Sequence, residues 1–244
     1  MTGPEAARRL LSSATLRRIA ELWPEGRLFL TGGSLRDRLL GRPGRDLDLA
    51  VAGDARAAAA RLAAALGGRS FPLGKPPLAT WRVVAGAAHL DLWGVGGDVR
   101  ADILRRDFTV NALFWRLPRG PLLDLVGGLD DLAAGRIRVV DAANLAADPL
   151  RVLRGVRLAS THPRFRLTAE SERLLAAAAP GLRAVARERI VDELRQLLGG
   201  AAARRALALA RRLGILAVLR PEWERFDGAE TAFALAGELA ALQR

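Results

Sequence analysis

Several residue types are absent or nearly absent from this sequence. Its 244 residues include no cysteine, no tyrosine, one methionine and a single lysine, Lys75. Without cysteine there is no disulfide, no thiolate metal site and no cysteine nucleophile, so any metal must be bound by oxygen or histidine. Lys75 lies in the sequence GKPP, which lacks the Ser or Thr that follows lysine in a Walker-type phosphate loop. Cysteine chemistry and a Walker-type P-loop are therefore excluded.

Long apolar runs are absent as well. No stretch reaches the roughly 18 apolar residues that a membrane-spanning helix needs, and the N-terminal stretch carries Glu5, Arg8 and Arg9. We therefore expect no signal peptide, no membrane association and a cytoplasmic protein.

The charge is strongly positive. Lys and Arg total 38 against 26 Asp and Glu, which gives a formal net charge of +12. Almost all of the basic residues are arginine, whose planar guanidinium group binds phosphate through two parallel hydrogen bonds. A polyanionic partner such as nucleic acid is expected. A GC-rich coding bias, indicated by abundant Ala, Arg, Gly and Leu, is an alternative explanation for part of this arginine content.

The hydrophobic pattern changes near residue 140. Before it, short apolar or alternating segments predict strands at 27–31, 46–51, 79–84, 88–93 and 137–140, with helices at 5–22, 34–40 and 54–66. After it, helical spacing predicts helices at 150–159, 169–178, 189–198, 201–213 and 231–242. The sequence therefore predicts an α+β protein, with a mixed part over residues 1–140 and an all-helical part over residues 141–244.

Asp46 and Asp48 stand two residues apart in the alternating segment DLDLAV. Side chains alternate between faces in a strand, so both carboxylates point to one face while Leu47 and Leu49 point to the core. Two carboxylates on one rigid edge, together with substrate phosphates, form a ligand set for Mg²⁺, and paired ions stabilise the attacking and leaving oxygens of an in-line displacement. A solvated strand face without function is the alternative.

Thr31, Gly32, Gly33 and Ser34 connect a predicted strand to a predicted helix just upstream. Such a turn exposes backbone N–H groups and the positive helix end, and the two glycines let a triphosphate approach closely. Alternatively, Ser34 is the N-cap of the helix, with Asp37 three residues later as in a capping box. Both interpretations can hold together.

Asp91 supplies a third carboxylate in the alternating segment AHLDLW, and one further strand would place it beside the first two. His89 lies on the same face. Because no second His or Cys stands within range in the sequence, we expect His89 to be a hydrogen-bonded structural residue and not a metal ligand.

Three motifs in order carry a resemblance to a known family. They are GGSLRDRLLGRPGRDLDLAV from residue 32, LRRDFTVNAL at 104–113 and DPLRVLRGVRLAS at 148–160. The chain resembles the bacterial and eukaryotic type of tRNA nucleotidyltransferase and poly(A) polymerase, called class II, and RERIVDELRQLL at 187–198 is similar to a further helical motif of that family. The resemblance implies a polymerase-β-like nucleotidyltransferase head with a mixed sheet over 1–140, followed by a helical neck and short body over 141–244.

The resemblance also implies the chemistry, in which an RNA 3′-hydroxyl attacks the α-phosphate of a nucleoside triphosphate and pyrophosphate leaves. Asp46 and Asp48 would bind two Mg²⁺ ions, with Asp91 as the third catalytic carboxylate. Further residues would contact the nucleotide, the first four at the triphosphate and the last three at the nucleoside: Gly32, Gly33, Ser34, Arg36, Arg106, Asp107 and Asn111. Asp107 would act through the ribose hydroxyl. For Arg105 and Arg106, a solvated helix start is the alternative.

In this family a Glu-Asp-x-x-Arg motif at the start of a neck helix binds the incoming base. Here Ala147, Asp148 and Arg151 stand at the matching positions, so the glutamate is missing. Arginines recur at every third position along one side of the predicted helix, where they can face an anion: Arg151, Arg154 and Arg157. Asp148 followed by Pro149 is alternatively a plain N-cap with proline at the first helical position.

The choice of nucleotide is predicted from a short segment. Only LWGVGGDVRADILR separates Asp91 from Arg106, whereas CCA-adding members of the family carry a long flexible loop there, associated with the switch from C to A addition. The chain thus resembles enzymes that add only the two cytidines, and we predict CTP as the main substrate, with ATP as the alternative, and tRNA or another RNA 3′ end as the acceptor. Only a short helical body follows the neck, which leaves the exact RNA open; the oligomeric state is not predicted.

Two rival functions remain. An A-adding or poly(A)-forming enzyme would use the same aspartates. A non-catalytic RNA-binding relative is disfavoured, because clustered carboxylates would repel the phosphates of RNA.

Overall fold

The structure is a computed structural model that describes residues 13–23, 26–74, 80–199 and 202–225. The chain divides into two compact units, one up to Leu129 and one from Asp130 onward. The sequence places the change of domain later, at 140/141, and the functional division there stays a prediction. Within the described residues, no helix is both long and apolar enough to cross a membrane.

Seven strands form one sheet in the first unit. They are β1 (Leu28–Thr31), β2 (Asp46–Val51), β3 (Arg69–Leu73), β4 (Thr80–Ala85), β5 (Ala88–Gly94), β6 (Phe114–Arg116) and β7 (Leu122–Leu123). Their order is β3-β4-β5-β2-β1-β6-β7, with β2 and β5 parallel and the other pairs antiparallel. The predicted α+β class with a mixed sheet is confirmed, and four of its strands were predicted nearly at their observed bounds.

Helices of the first unit surround this sheet. They are α1 (Ala14–Glu21), α2 (Gly32–Leu39), α3 (Ala55–Leu66) and α4 (Val99–Leu104), followed by a 3₁₀ turn at Thr109–Asn111. Asp54 starts α3, because its carboxylate accepts hydrogen bonds from the N–H groups of Arg56 and Ala57. Of the predicted helix at 5–22, the part before residue 13 lies outside the described residues.

The two faces of the sheet differ in chemistry. Residues opposed across paired strands point to the same side, so Thr31, Asp48 and Asp91, which are in register on β1, β2 and β5, share one face. Their neighbours Leu30 and Leu49 point to the other face and are fully buried. We call these the site face and the core face.

Helix α3 covers the core face of β3, β4 and β5. Its buried residues are small or aliphatic, including Ala59 and Leu62, and Val83 and Leu90 are buried on the core face of β4 and β5. Arg56 of α3 also lies over the ring of Trp81 on β4, whose partner in the register, Leu92, is a core-face residue. The apolar half of each alternating strand therefore anchors the sheet and orients the other half outward.

The second unit consists mainly of helices. They are α5 (Gly128–Ala134), which spans the point of division, α6 (Ala142–Ala147), α7 (Arg151–Thr161), α8 (Ala169–Ala178), α9 (Arg187–Leu198), α10 (Ala203–Arg212) and α11 (Ile215–Leu219), with 3₁₀ turns at Ala179–Ala184 and Pro221–Arg225. The predicted helix at 231–242 lies outside the described residues.

One pair of strands corrects the expectation of a purely helical second part. β8 (Arg136–Ile137) pairs in parallel with β9 (Arg166–Leu167). Strands of two residues are too short to show an alternating pattern, so β9 could not be predicted from hydrophobic periodicity. The strand predicted at 137–140 overlaps β8 only at Ile137, because β8 begins one residue earlier and ends three residues earlier.

Candidate active site

The aspartate pair lies on β2 with the alternation that the sequence predicts. Leu47 and Leu49 are 2% and 0% exposed, whereas the side chain of Asp46 is 81% exposed. Asp48 is partly buried on the same face. Both carboxylates are therefore on the site face, with Asp46 toward solvent.

The start of α2 is bonded directly to Asp48. The N–H of Ser34 donates to Asp48 Oδ2 at 3.0 Å, and the N–H of Asp48 donates to Ser34 Oγ at 2.9 Å. The prediction that Ser34 is the N-cap is wrong, because α2 begins at Gly32 and its N-cap is Thr31, without a side-chain cap. Gly32 adopts a φ of 61°, which lets the chain turn from β1 straight into the helix.

Gly32 also leaves the space that Asp48 occupies. A Cβ at Gly32 would lie 2.8 Å from Asp48 Oδ2, whereas a Cβ at Gly33 would meet nothing closer than Arg36 Nη2 at 3.5 Å. The first glycine is thus required both by backbone conformation and by the position of the carboxylate.

Burial and neighbouring charges of both signs act on the pKa of Asp48. Burial raises the pKa of its carboxyl group above the ordinary value, and the negative charge of Asp91 adds to this rise. The Ser34 N–H and the positive charges of Arg106 and Arg36 act in the opposite direction. A partly buried carboxylate that meets a second carboxylate is stabilised in its charged form by a bound cation.

Asp91 lies beside the pair, as predicted, because β5 runs parallel to β2 and places it opposite Asp48. Both of its oxygens accept hydrogen bonds at 2.7 Å from Arg82 of β4, through Nε and Nη2. His89 Nδ1 lies 3.3 Å from Asp46 Oδ1, and its structural role stays a prediction. The catalytic role of Asp91 stays a prediction, since Arg82 holds both of its oxygens.

A chain of hydrogen bonds links three of the predicted nucleotide-binding residues. Arg36 Nη1 donates to Asn111 Oδ1 at 2.7 Å, and Asn111 Nδ2 donates to Asp107 Oδ1 at 3.1 Å. Asp37 fixes Arg36 from the other side, accepting from its Nε at 2.8 Å. The start of α2 and the segment after α4 are thereby joined, and their polar side chains have set orientations.

Arg106 is bound by an aspartate and lies close to two aromatic rings. Its Nη2 donates to the buried Asp102 at 2.7 Å, and its guanidinium lies 4.6 Å from the Trp93 ring centroid and 5.0 Å from that of Phe114. Arg105 also pairs with Asp102. The alternative of a solvated helix start is wrong for both arginines, because they follow the end of α4 and are tied back to it.

Sequence reasoning did not find Arg82, Trp93 or Asp102. The pairing of Asp102 with Arg106 could have been found from the sequence. Residues four apart on a helix are neighbours, and Asp102 precedes Arg106 by four. Arg82 becomes meaningful only when β4 is known to lie antiparallel to β5, because that register places it opposite Asp91.

In the second unit, the predicted arginines surround one buried glutamate. Glu193 of α9 has a side chain only 5% exposed, and it pairs with Arg157 and, at 3.7 Å, with Arg154. Both arginines lie on α7, so this cluster ties two helices together. Arg154 and Arg157 are thus already engaged by a carboxylate, and their contact with a nucleotide stays a prediction.

Asp148 is not the N-cap of α7. That helix begins at Arg151, its N-cap is Leu150, and no side chain caps it. Asp148 instead accepts a hydrogen bond from Arg189 Nη2 at 3.1 Å and lies 3.9 Å from Arg151 Nε. The plain-cap alternative is therefore wrong, because Pro149 and Leu150 form a turn that separates Asp148 from the helix.

The donor set suits Mg²⁺. In the described part of the chain no three His, Cys, Asp or Glu side chains converge as an all-protein metal cage would require. Mg²⁺ instead uses one or two carboxylates and completes its shell with water and substrate phosphates. Asp46 and Asp48 meet that requirement, with an exposed carboxylate beside a partly buried one that lacks an arginine partner.

Models of two protein families match this chain. The family described as "Poly A polymerase head domain" matches residues 82–138, and the one described as "Probable RNA and SrmB- binding site of polymerase A" matches residues 164–227. The first match covers Asp91 and the RRDF segment, and the second covers α8 to α11.

Curated relatives align with most of the chain. A CC-adding tRNA nucleotidyltransferase of Thermus thermophilus is 41% identical over 199 residues, which are 80% of this chain and 45% of the relative. An A-adding tRNA nucleotidyltransferase of Deinococcus radiodurans is 38% identical over 204 residues, 82% of this chain and 46% of the relative. The chain thus spans about half the length of the curated relatives it matches.

Solved structures of similar proteins share the fold. A CCA-adding enzyme in complex with CTP superposes with a TM-score of 0.80 at 26% identity, covering 91% of this chain and 56% of that one. The Thermotoga maritima CCA-adding enzyme complexed with tRNA superposes with a TM-score of 0.78 at 27% identity, covering 88% and 55%.

Proposed function

Because this chain belongs to the family of class II tRNA nucleotidyltransferases and poly(A) polymerases, we propose that it transfers nucleotides, CMP first, from a nucleoside triphosphate to the 3′ end of tRNA and releases pyrophosphate. One observation carries the proposal. Asp46 and Asp48 share the site face, and Asp48 is hydrogen-bonded to the first turn of α2. A carboxylate pair thus adjoins a helix start of the kind that binds phosphate.

The start of α2 binds the triphosphate. Gly32 and Gly33 keep side chains away from this turn, and Arg36, mostly buried and oriented by Asp37 and Asn111, supplies a fixed positive charge. Charge that develops on the phosphates is then stabilised by groups that need not reorganise during the reaction. Positioning and neutralisation are the main protein contributions to transfers of this kind.

Asp46 and Asp48 would hold the Mg²⁺ ions. Held there, Mg²⁺ would supply the positive charge that neutralises the α-phosphate and stabilises the attacking and leaving oxygens. Asp91, in register with Asp48, adds negative charge beside the same position, and Arg82 orients its carboxylate.

The nucleoside is bound by the segment after α4. Arg106 is held by Asp102 between Trp93 and Phe114, so its guanidinium has one orientation. Asp107 and Asn111 are hydrogen-bonded to each other and present polar groups for the ribose. In the second unit Asp148, Arg151, Arg154 and Arg157 would contact the base, from side chains already ordered by Arg189 and Glu193.

Addition of C is favoured by the connection between Asp91 and Arg106. β5 ends at Gly94 and α4 occupies Val99–Leu104, so this segment is taken up by regular structure and leaves no room for a long flexible loop. Addition of A is the second candidate, since the A-adding relative is 38% identical and the CC-adding relative 41%. The cytoplasmic location expected from the sequence stays a prediction.

The test supplies tRNAs that end before CCA, after C and after CC, with each nucleoside triphosphate separately and Mg²⁺ present, and sizes the products. We expect two C residues to be added to the tRNA that ends before CCA and one to the tRNA that ends after C. The variant Asp48→Ala should lower incorporation by at least about a thousandfold, since it removes a carboxylate that binds the metal, while its circular dichroism spectrum stays that of the wild type.

Asp130→Ala is the matched control, because Asp130 is an exposed aspartate at the start of α5. Normal turnover by Asp48→Ala would overturn the active-site assignment. Efficient A addition to the CC-ending substrate would replace CC addition by the second candidate, and incorporation of no nucleotide by the wild type would refute the proposed function.

A further inference from the structure

The site face continues past the carboxylates toward one edge of the sheet. Asp91 is opposed by Arg82 on β4, and Arg82 is opposed by Phe71 on β3. Since opposed residues point to the same side, Asp48, Asp91, Arg82 and Phe71 form a row across four strands. Arg69 precedes Phe71 by two residues on β3 and shares this face.

This part of the sheet is open to solvent. Phe71 is 42% exposed although it is a large aromatic residue, and Arg69 is exposed beside it. Helix α3 packs on the opposite side of the same strands, where Val83 is fully buried. We name Arg69, Phe71 and Arg82 the outer patch; it is a solvent-exposed extension of the face that carries the candidate catalytic carboxylates.

The direction of the reaction assigns this side of the site to the RNA. In an in-line displacement the attacking and leaving oxygens lie on opposite sides of the phosphorus. In the proposed function the phosphates are bound at the start of α2, and α2 follows β1, which lies on one side of Asp48. The attacking hydroxyl must therefore approach from the other side, where β5, β4 and β3 succeed one another.

We propose that the outer patch binds the last nucleotides of the RNA acceptor, with Phe71 stacked against a base and Arg69 paired with a backbone phosphate. This inference rests on the proposed function. Neighbouring strands lie about 4.8 Å apart, so Phe71, three strands from Asp48, is roughly 14 Å away from it. At that distance it contacts a base upstream of the reacting ribose and not the ribose itself.

The chemistry of the outer patch fits single-stranded RNA. Cationic groups that follow the backbone, combined with aromatic side chains on which bases stack, are the usual means of binding a single strand without reading its sequence. A protein partner would be favoured by a broader apolar surface, but Phe71 is flanked by Arg69 and Arg82. Arg82 is also bonded to Asp91, which joins the RNA-binding surface to the catalytic carboxylates.

The first test is Phe71→Ala, assayed by steady-state incorporation of CMP. Loss of one stacking contact should raise the KM for the RNA about tenfold, with kcat at saturating RNA and the KM for CTP unchanged. Phe71→Trp should keep the wild-type KM, because it restores the stacking surface. Leu125→Ala is the matched control, since Leu125 is an exposed apolar residue that follows β7 at the other edge of the sheet.

The second test is Arg69→Ala, with Arg119→Ala, an exposed arginine between β6 and β7, as control. Loss of a phosphate contact should weaken RNA binding and reduce the dependence of log K on log salt concentration by about one unit. The control should change neither.

Direct binding separates this inference from the proposed function. A fluorescent RNA ending in CC is titrated with the Asp48→Ala protein, with and without Phe71→Ala, in the absence of nucleotide. Weaker binding by the double variant supports the outer patch even if the wild type transfers no nucleotide. Equal RNA affinity with and without Phe71→Ala, or a change confined to the KM for CTP, would overturn it.

Discussion

The two aspartates of β2 in the first unit and the buried acids of the second unit are held by different partners. In the part of the first unit that the structure describes, Asp46 and Asp48 form no ion pair with arginine, and Asp48 is held by the N–H and hydroxyl of Ser34. In the second unit, the buried Glu193 pairs with two arginines, and the buried Asp131 does the same with Arg136 and Arg138.

This difference indicates one role of the many arginines, which is to neutralise structural carboxylates. Where a carboxylate ties elements together, an arginine neutralises it and satisfies its oxygens. Where no arginine forms an ion pair with two neighbouring carboxylates, as on β2, a cation from solution would neutralise them under the proposed function, and substrate phosphates would complete its ligands. Asp46 and Asp48 of β2, which have no arginine ion pair among the described residues, are thus suited to exchange ligands, whereas we expect Glu193 and Asp131 to be structural.

Among variants that keep Asp48 itself, the largest expected effect comes from moving its carboxylate without changing its charge. Gly32→Ala places a Cβ 2.8 Å from Asp48 Oδ2 and strains a backbone that has a φ of 61°, so the carboxylate must shift. A displacement on the order of 1 Å costs about a hundredfold in rate. The rate of CMP incorporation by Gly32→Ala, relative to that of the wild type, measures this loss.

Gly41→Ala is the control for backbone strain alone. Gly41 also has a positive φ, but a Cβ there meets nothing within 4 Å. If Gly41→Ala lost as much activity as Gly32→Ala, the close approach to Asp48 would not be the cause.

Four strands of the first unit, β1, β2, β4 and β5, were predictable because each is a short apolar or alternating segment. The segment DLDLAV fixed both the bounds of β2 and the side on which Asp46 and Asp48 lie. The edge strand β3 was not predicted, since Pro72 interrupts a short pattern and proline is typical of loops or edges. Phe71 therefore attracted no interpretation, although it extends the site face.

Side-chain pairs between segments that are distant in the sequence could not be predicted from it. Glu193 lies 36 residues from Arg157, and only the packing of α9 on α7 brings them together. The three neck arginines were predicted to face an anion, and the structure shows that for two of them this anion is a side chain of the protein. Helical spacing predicts which residues share a side but not what that side meets.

The second prediction tests whether the paired acids are structural. Glu193→Gln removes the charge that neutralises Arg154 and Arg157, and we expect the free energy of unfolding to fall by about 2 kcal/mol, the usual size for a hydrogen bond to a charged group. Urea unfolding measures the change. Asp192→Asn, which breaks only the exposed pair with Arg195, should change it by less than about 0.5 kcal/mol. Equal losses in the two variants would contradict a structural role specific to Glu193.

Asp102 is an arginine-paired acid in the first unit, so it can be compared with Asp46 and Asp48 within one unit. Burial by itself would raise the pKa of its carboxyl group, but Arg106, Arg105 and the Trp93 N–H together outweigh burial and lower the pKa below the ordinary value. A carboxyl group with a lowered pKa stabilises the fold fully above its unfolded pKa of about 3.9 and loses that contribution as the pH falls through the folded value. Its stabilising effect is thus present at neutral pH and lost in acid.

Asp102→Asn should therefore lower the free energy of unfolding by about 1 kcal/mol at neutral pH, and the difference from the wild type should shrink as the pH falls below about 4. Urea unfolding at a series of pH values measures it. Asp130→Asn, at an exposed position, should give a small difference at every pH. The KM for CTP should rise with Asp102→Asn, because Arg106 loses the charge that orients it. A stability difference independent of pH would show that Asp102 acts through packing and not through its ion pairs.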